Sequence, residues 1–230
     1  MHTAGGPAMH DSFDTILTTS DAVAATMLND RRAGHRMTMS LWGNIELPAH
    51  QGARSRVGCL WSVLAVDPVQ GTGTVLVRST VAPENHATWA ASQTTSPTQC
   101  PEPGETVRFH AHIAAMYTPR SDVPLEWRAQ LKEGANGTPR APGQGLSYRS
   151  RQVPVPIERL DAWAAARLQR LGIDAEVAAS PRSPVDLKGT RTHTAHIDAT
   201  ATEVDGRVSE LLRTGLGKGR AYGLGAVVWG

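Results

Sequence analysis

The sequence predicts an α+β fold: two tandem ferredoxin-like units, the second carrying a glycine-rich loop near its end. Two observations carry this. Strand-like and helix-like segments recur in the order strand, helix, strand, strand, helix on both sides of a Thr/Ser/Pro-rich stretch at residues 94–104, which matches the β-α-β-β-α-β order of such a unit. After the last helical pattern come five glycines within residues 215–225 and then the apolar run Ala226–Trp229.

Each element has a local reason. Phe13–Thr18 has strand composition, and Ser20 or Asp21 is placed to cap a helix carrying Val23, Met27 and Leu28. Asp30 is placed to cap a second helical stretch through His35, Met39 and Trp42. Val57–Val66 and Thr74–Ser79 are β-branched and apolar, and the Pro- and Gly-bearing segment Asp67–Gly73 joins them as a hairpin. A short segment around Trp89 follows, but no convincing last strand for the first unit. In Glu105–Met116, Val107, Phe109, Ala111 and Ile113 alternate onto one face of a strand. Pro119–Gly145 is turn-rich, with a short helix expected around Trp127 and Leu131. Ile157, Leu160, Ala164, Leu168 and Leu171 form one helical stripe. Short strands are expected at 174–178 and 185–199, then a helix opened by Thr202 or Asp205 with Val204, Val208, Leu211 and Leu212 inward. The expected division is a disordered leader at 1–11, a first domain at 12–95, a linker at 96–104 and a second domain at 105–230.

Composition narrows the class. The 230 residues are 40% hydrophobic and 19% charged, enough for a core that needs no disulfide or metal staple. Two cysteines without C-x-x-C spacing, Cys59 and Cys100, argue against a disulfide framework and a thiolate zinc site. The chain has no apolar run of spanning length and no signal-peptide pattern at its start. A cytoplasmic protein with no membrane partner is expected. The net charge is only +2, so a nucleic-acid partner requires local gathering of cations. Arg149, Arg151, Arg182, Lys188, Arg191, Arg213, Lys218 and Arg220 all fall in the later part. A solvated face with scattered charges is the plainer reading of composition alone.

In the run Gly215, Gly217, Lys218, Gly219, Arg220, Gly223 and Gly225, glycine lets backbone N–H groups approach phosphates and the cations add charge. A dinucleotide fingerprint fails, because too few residues follow for its β-α-β unit. The P-loop pattern is absent. A simple turn into an edge strand competes with a loop binding an RNA backbone, which fits best.

The run RTGLGKGRAYGLGAVV at 213–228 resembles the C-terminal glycine loop of the RAMP superfamily of CRISPR proteins. Its Ala221–Gly225 ending looks most like the CasE family. Further segments agree in order: DRRAGH at 30–35, GTVLVRS at 73–79 followed by Pro83, PGETVRF at 103–109, and VPVP at 153–156 followed by LDAW at 160–163. The resemblance implies RAMP-like, RRM-like domains and metal-independent RNA cleavage with no cofactor. In that reaction the ribose 2′-OH attacks the adjacent phosphate and leaves a 2′,3′-cyclic phosphate. It implies that His35 is catalytic; histidine titrates near neutrality, which suits proton transfer. Where family members commonly carry a tyrosine three positions before this histidine, Arg32 stands here. Arg32 either stabilises charge on phosphorus or points to solvent. The resemblance also implies a basic hairpin near Arg182, Lys188 and Arg191 that enters the RNA stem. The implied partners are the CRISPR repeat hairpin and its processed crRNA, other Cascade subunits, and target DNA only through the assembled complex.

Two other functions stay open in the residues. One is a non-catalytic RAMP subunit that binds crRNA as scaffold. The other is a metal enzyme using His110 and His112, which share a strand face but lack an obvious third ligand. His193 and His196 are expected on opposite faces of their strand.

Overall fold

A computed structural model describes residues 12–43, 57–117, 152–187 and 189–229. The turn-rich stretch around Trp127 and Leu131, the leader, Arg149, Arg151 and Lys188 lie outside the described residues.

The first unit opens with β1 (Phe13–Ser20), α1 (Asp21–Asn29) and α2 (Arg31–Met39). Ser20 caps α1 by accepting from the Val23 N–H. Asp30 serves both helices. Its own N–H donates to the Thr26 carbonyl at the end of α1, and its carboxylate accepts from the N–H groups of Arg32 and Ala33 at the start of α2. The sharp turn between the helices therefore rests on one residue. Next come β2 (Leu60–Asp67), β3 (Thr72–Ser79) and β4 (Ala90–Pro97), giving an antiparallel sheet in the order β2-β3-β1-β4.

Two expectations change here. The Thr/Ser-rich run starting at Thr94, read as linker, forms the second half of β4 against β1. β4 is an edge strand and mostly exposed, so its polarity hid it, while its threonines suit a pleated surface. In place of a helix around Trp89, residues 80–89 run without helix. Ala87 and Trp89 instead pack against the core of Leu17, Met27, Trp42, Trp61 and Val77.

The second unit contains β5 (Val107–Ala114), the short pair β6 (Met116–Tyr117) and β7 (Val153–Pro154), α3 (Leu160–Gln169), β8 (Ala175–Leu187), β9 (Thr190–Ala201), α4 (Gly206–Thr214) and β10 (Val227–Trp229). Its main sheet runs β10-β5-β9-β8, the same relative order as the first. Each sheet places its first and third strands centrally, as in a ferredoxin-like unit. Val107, Phe109, Ala111 and Ile113 alternate inward as expected, packing with Leu168, Val208, Leu211 and Leu212. The expected stripe of α3 is shorter: Leu160, Ala164 and Leu168 are buried, but Ile157 and Leu171 are 70% and 46% exposed, because they lie outside the helix on either side. β8 is one strand through Pro181 and Pro184, not a short one ending at 178. It sits at the sheet edge, where a missing N–H is tolerated, and its register shifts between Arg182 and Val185. Asp205 caps α4 by accepting from the Arg207 N–H.

The two units are joined by a buried cation. Arg78 on β3 is 3% exposed. It makes a two-pronged pair with Asp14 at 2.6 and 2.8 Å, and its Nη1 donates to the carbonyls of Leu212 and Val227 at 2.9 and 2.7 Å.

Candidate functional site

The junction between the units gathers several of the residues singled out in the sequence. α2 presents Arg31 and His35 four residues apart, hence on one face. The chain from Gly215 to Gly225 folds back against that helix, with a 3-10 turn at Arg220–Tyr222. All five of its glycines have φ between 69° and 83°, a region that L-residues rarely occupy. Three backbone bonds close the loop: Leu216 N–H donates to the Gly225 carbonyl at 2.7 Å, and the Tyr222 and Leu224 N–H groups to the Gly219 carbonyl at 2.7 and 3.3 Å. Gly225 N–H donates in turn to the carbonyl of His112 on β5 at 2.6 Å.

Trp61 is the wedge between helix and loop. Its ring is fully buried and its Nε1 donates to the Ala221 carbonyl at 3.0 Å. A Cβ added at Gly34 would stand 2.5 Å from this ring, and one at Gly223 would stand 2.7 Å from it. Glycine at both positions thus lets α2 and the loop close on Trp61. His35 and Tyr222 meet there with ring centroids 5.9 Å apart. Gly219 lies against Leu187 at the end of β8, which brings the β8–β9 hairpin end beside the loop.

The remaining sequence candidates distribute around this centre. Lys218 and Arg220 are exposed on the loop, while Gly215, Gly223 and Gly225 are buried. Arg220 donates to the Thr214 carbonyl at 2.5 Å. Arg191 is exposed opposite Asp186 near the hairpin end. Arg182 is exposed further down β8 and lines the cleft between the sheets. Arg32 is exposed at the start of α2.

Three residues were missed from the sequence. Tyr222 lay inside the quoted loop motif without a role. Arg31 was legible as the residue one turn before His35. Arg167 on α3 stacks on Trp163 at 4.5 Å and lies beside Gly217, which no local pattern announces.

The histidines of the second sheet form their own group. His110 and His112 share a face, and cross-strand register brings His196 opposite His112 and Asp198 opposite His110. His112 Nε2 bonds the Thr194 hydroxyl at 2.8 Å. Burial, then the charge of Arg31, push the His112 pKa down to about 4. His110 is also lowered, chiefly by burial. Among the described residues no group of three or more His, Cys, Asp or Glu is placed to hold a metal ion, so the His110/His112 pair still lacks its third ligand. No described helix is long and apolar enough to cross a membrane.

The described residues thus form two four-stranded antiparallel sheets of the same strand order, each with its helices, as in two ferredoxin-like units. A family model described as "CRISPR associated protein" matches residues 14–227, and the chain belongs to that family. No curated protein matches the sequence. Among solved structures, the CRISPR endoribonuclease Cse3 bound to 19 nt RNA is 16% identical, with 96% of this chain and 99% of that chain covered, at a TM-score of 0.63. Cas6e from Escherichia coli str. K-12 is 18% identical, with 95% and 98% covered, at 0.59. A chain of a CRISPR RNA-guided surveillance complex, pre-nicking, is 14% identical, with 94% and 98% covered, at 0.51. These likenesses extend the shared fold over nearly the whole of each chain.

Proposed function

We propose that this chain is a metal-independent endoribonuclease that cuts CRISPR repeat hairpins and then holds the processed RNA as a subunit of a cytoplasmic Cascade-type complex. The observation that carries the reading is the meeting of His35 on α2 with Tyr222 of the glycine loop, 5.9 Å between centroids, at the junction of the two units. The imidazole faces a phenol there, and the loop that carries the phenol also carries two exposed cations, Lys218 and Arg220.

In this reading the ribose 2′-oxygen loses its proton as it attacks the neighbouring phosphorus. The P–O5′ bond breaks, the departing 5′-oxygen takes up a proton, and a 2′,3′-cyclic phosphate remains. His35 transfers one of these protons. Tyr222 faces it from the loop and stands in for the tyrosine that Arg32 replaces on the helix. Arg32, exposed, adds charge at the rim. Lys218, Arg220 and the loop N–H groups hold phosphates on one side; Arg182, Lys188 and Arg191 of the β8–β9 hairpin hold the stem. Such basic hairpins suit A-form RNA, whose deep groove admits little else.

The test is cleavage of repeat RNA in EDTA by wild type and His35→Ala. General acid–base catalysis contributes roughly 10²- to 10⁴-fold, so the variant is expected to slow by about that factor with hairpin affinity nearly intact. EDTA leaves the wild-type rate unchanged, and the product carries the cyclic phosphate. Wild-type rates in His35→Ala would remove the reading. A protein that binds the hairpin without cutting it would be the scaffold subunit instead.

A further inference from the structure

A second polar site lies one helical turn from His35 and has no part in the chemistry above. Arg31 is 3% exposed, yet among the described residues its guanidinium forms no ion pair with a carboxylate. It lies 5.6 Å from the centre of the Trp61 ring, and one Nη sits 3.5 Å from His112 Nδ1. Its Nε is buried with no hydrogen-bond acceptor among the described residues. Burial lowers its pKa to about 10, so it stays cationic at neutral pH. Keeping a charge out of water without a counter-charge is expensive. Such a charge marks a place where an anion arrives.

The space in front of it fits. A cleft of about 310 Å³ between the two sheets is lined by Arg31, Arg182, His110, His112 and His196 together with Ser62 and apolar side chains. Among the described residues no acidic side chain lines it. A carboxylate on that face, Asp198, is turned to His196 at 3.5 Å. Small-molecule sites run to roughly 300–1,000 Å³, so this one has room for a single nucleotide and excludes a duplex. The His110 and His196 rings, 5.6 Å apart, supply the flat faces on which unpaired bases stack.

We propose that this cleft binds one nucleotide of single-stranded RNA, its phosphodiester held by the Arg31 guanidinium and its base set against His110 and His196. The inference rests on the RNA-processing reading and deepens it. Arg31 and His35 are separated by about one helical pitch, roughly 5.4 Å, so an unpaired strand leaving the cutting point passes directly into the cleft.

The test uses the full chain and the imidazole NMR signals of His110, His112 and His196. Wild type, Arg31→Met and Arg31→Lys are each titrated with inorganic phosphate and with a short unstructured oligoribonucleotide. In wild type both probes shift these signals saturably, the oligonucleotide at lower concentration. Arg31→Met is expected to weaken oligonucleotide binding by about 10-fold or more, as hydrogen bonds from a charged donor disappear, and Arg31→Lys by less. Arg31→Met is also expected to melt no lower than wild type, because it removes a desolvated cation that packing alone does not need.

Unmoved histidine signals, or equal titrations for Arg31→Met and wild type, would overturn the site. Phosphate binding with no gain from the oligonucleotide would overturn its assignment to RNA. An Arg31→Met protein that melts lower and binds the oligonucleotide unchanged would make Arg31 purely structural. The oligonucleotide has no stem and the readout is not cleavage, so the cleft can fail while hairpin cutting by His35 stands, and the reverse.

Discussion

Gly223→Ala tests whether the glycine loop is closed by packing on Trp61. Two costs add. The residue sits at φ 69°, and a left-handed conformation costs an L-residue roughly 1–2 kcal/mol. Its new Cβ would stand 2.7 Å from two carbons of a fully buried ring, and overpacking of that sort costs roughly 1–3 kcal/mol. The total, about 2–5 kcal/mol, is a large share of a typical stability of roughly 5–15 kcal/mol. For a chain of this size it corresponds to a fall in Tm of roughly 4–20 °C. Gly71→Ala is the control. Its φ is 63° but nothing lies within 4 Å of the added Cβ, so only the backbone cost applies. Urea denaturation of both variants, alone and in a Trp61→Leu background, isolates the clash as a coupling energy. A Gly223→Ala destabilisation no larger than that of Gly71→Ala, or one unchanged by Trp61→Leu, would refute the wedge.

Other outcomes follow from the same geometry. Lys218→Ala with Arg220→Ala is expected to weaken hairpin binding and flatten its salt dependence, by a slope of roughly 0.7–0.9 for each phosphate deprived of its cation; an unaltered slope across a salt series counts against the loop as an RNA-binding element. His112 bears on acid stability. Its folded pKa of about 4 lies below the unfolded value of roughly 6.5, so between these pH values the unfolded chain takes a proton that the folded chain resists. Stability therefore falls as pH drops from about 6.5 toward 4, by up to roughly 3 kcal/mol, and His112→Gln is expected to abolish that share; identical urea midpoints against pH for both proteins would contradict it. On the proposed function the protein is expected to stay on its product, since tight complexes differ mostly in off-rate; repeated turnover with short-lived product complexes would oppose this.

What could be read in the sequence was whatever a local rule governs. The alternation of Val107, Phe109, Ala111 and Ile113 needs only the pleat of a strand, and the caps at Ser20 and Asp205 need only a hydroxyl or carboxylate before a helix. The glycine run stood out because so many positive φ values in succession have no other tolerant residue. What escaped depends on neighbours distant in the chain. β4 is polar because it lies at an edge, and its partner β1 is some seventy residues earlier. β8 passes through two prolines because, among the described residues, it is the edge strand of its sheet. Trp61 reads as an ordinary strand residue, and nothing around it shows that two glycines from different elements close on its ring. Arg31 received no role from the sequence, since burial of a charge leaves no mark in composition.

Arg78 has a mechanical meaning beyond its hydrogen bonds. The carbonyls it grips belong to Leu212, just before the glycine loop begins, and Val227, just after it ends. The loop is thus an arch whose two feet are bolted to a strand of the opposite unit. The same feet are fastened to the second sheet as well, since Gly225 N–H donates to the His112 carbonyl on β5 and Val227 pairs with Ala111. The span from His35 to the loop is therefore fixed from both units at once, so a chain stretch rich in the most permissive residue is held like a keystone and not like a hinge.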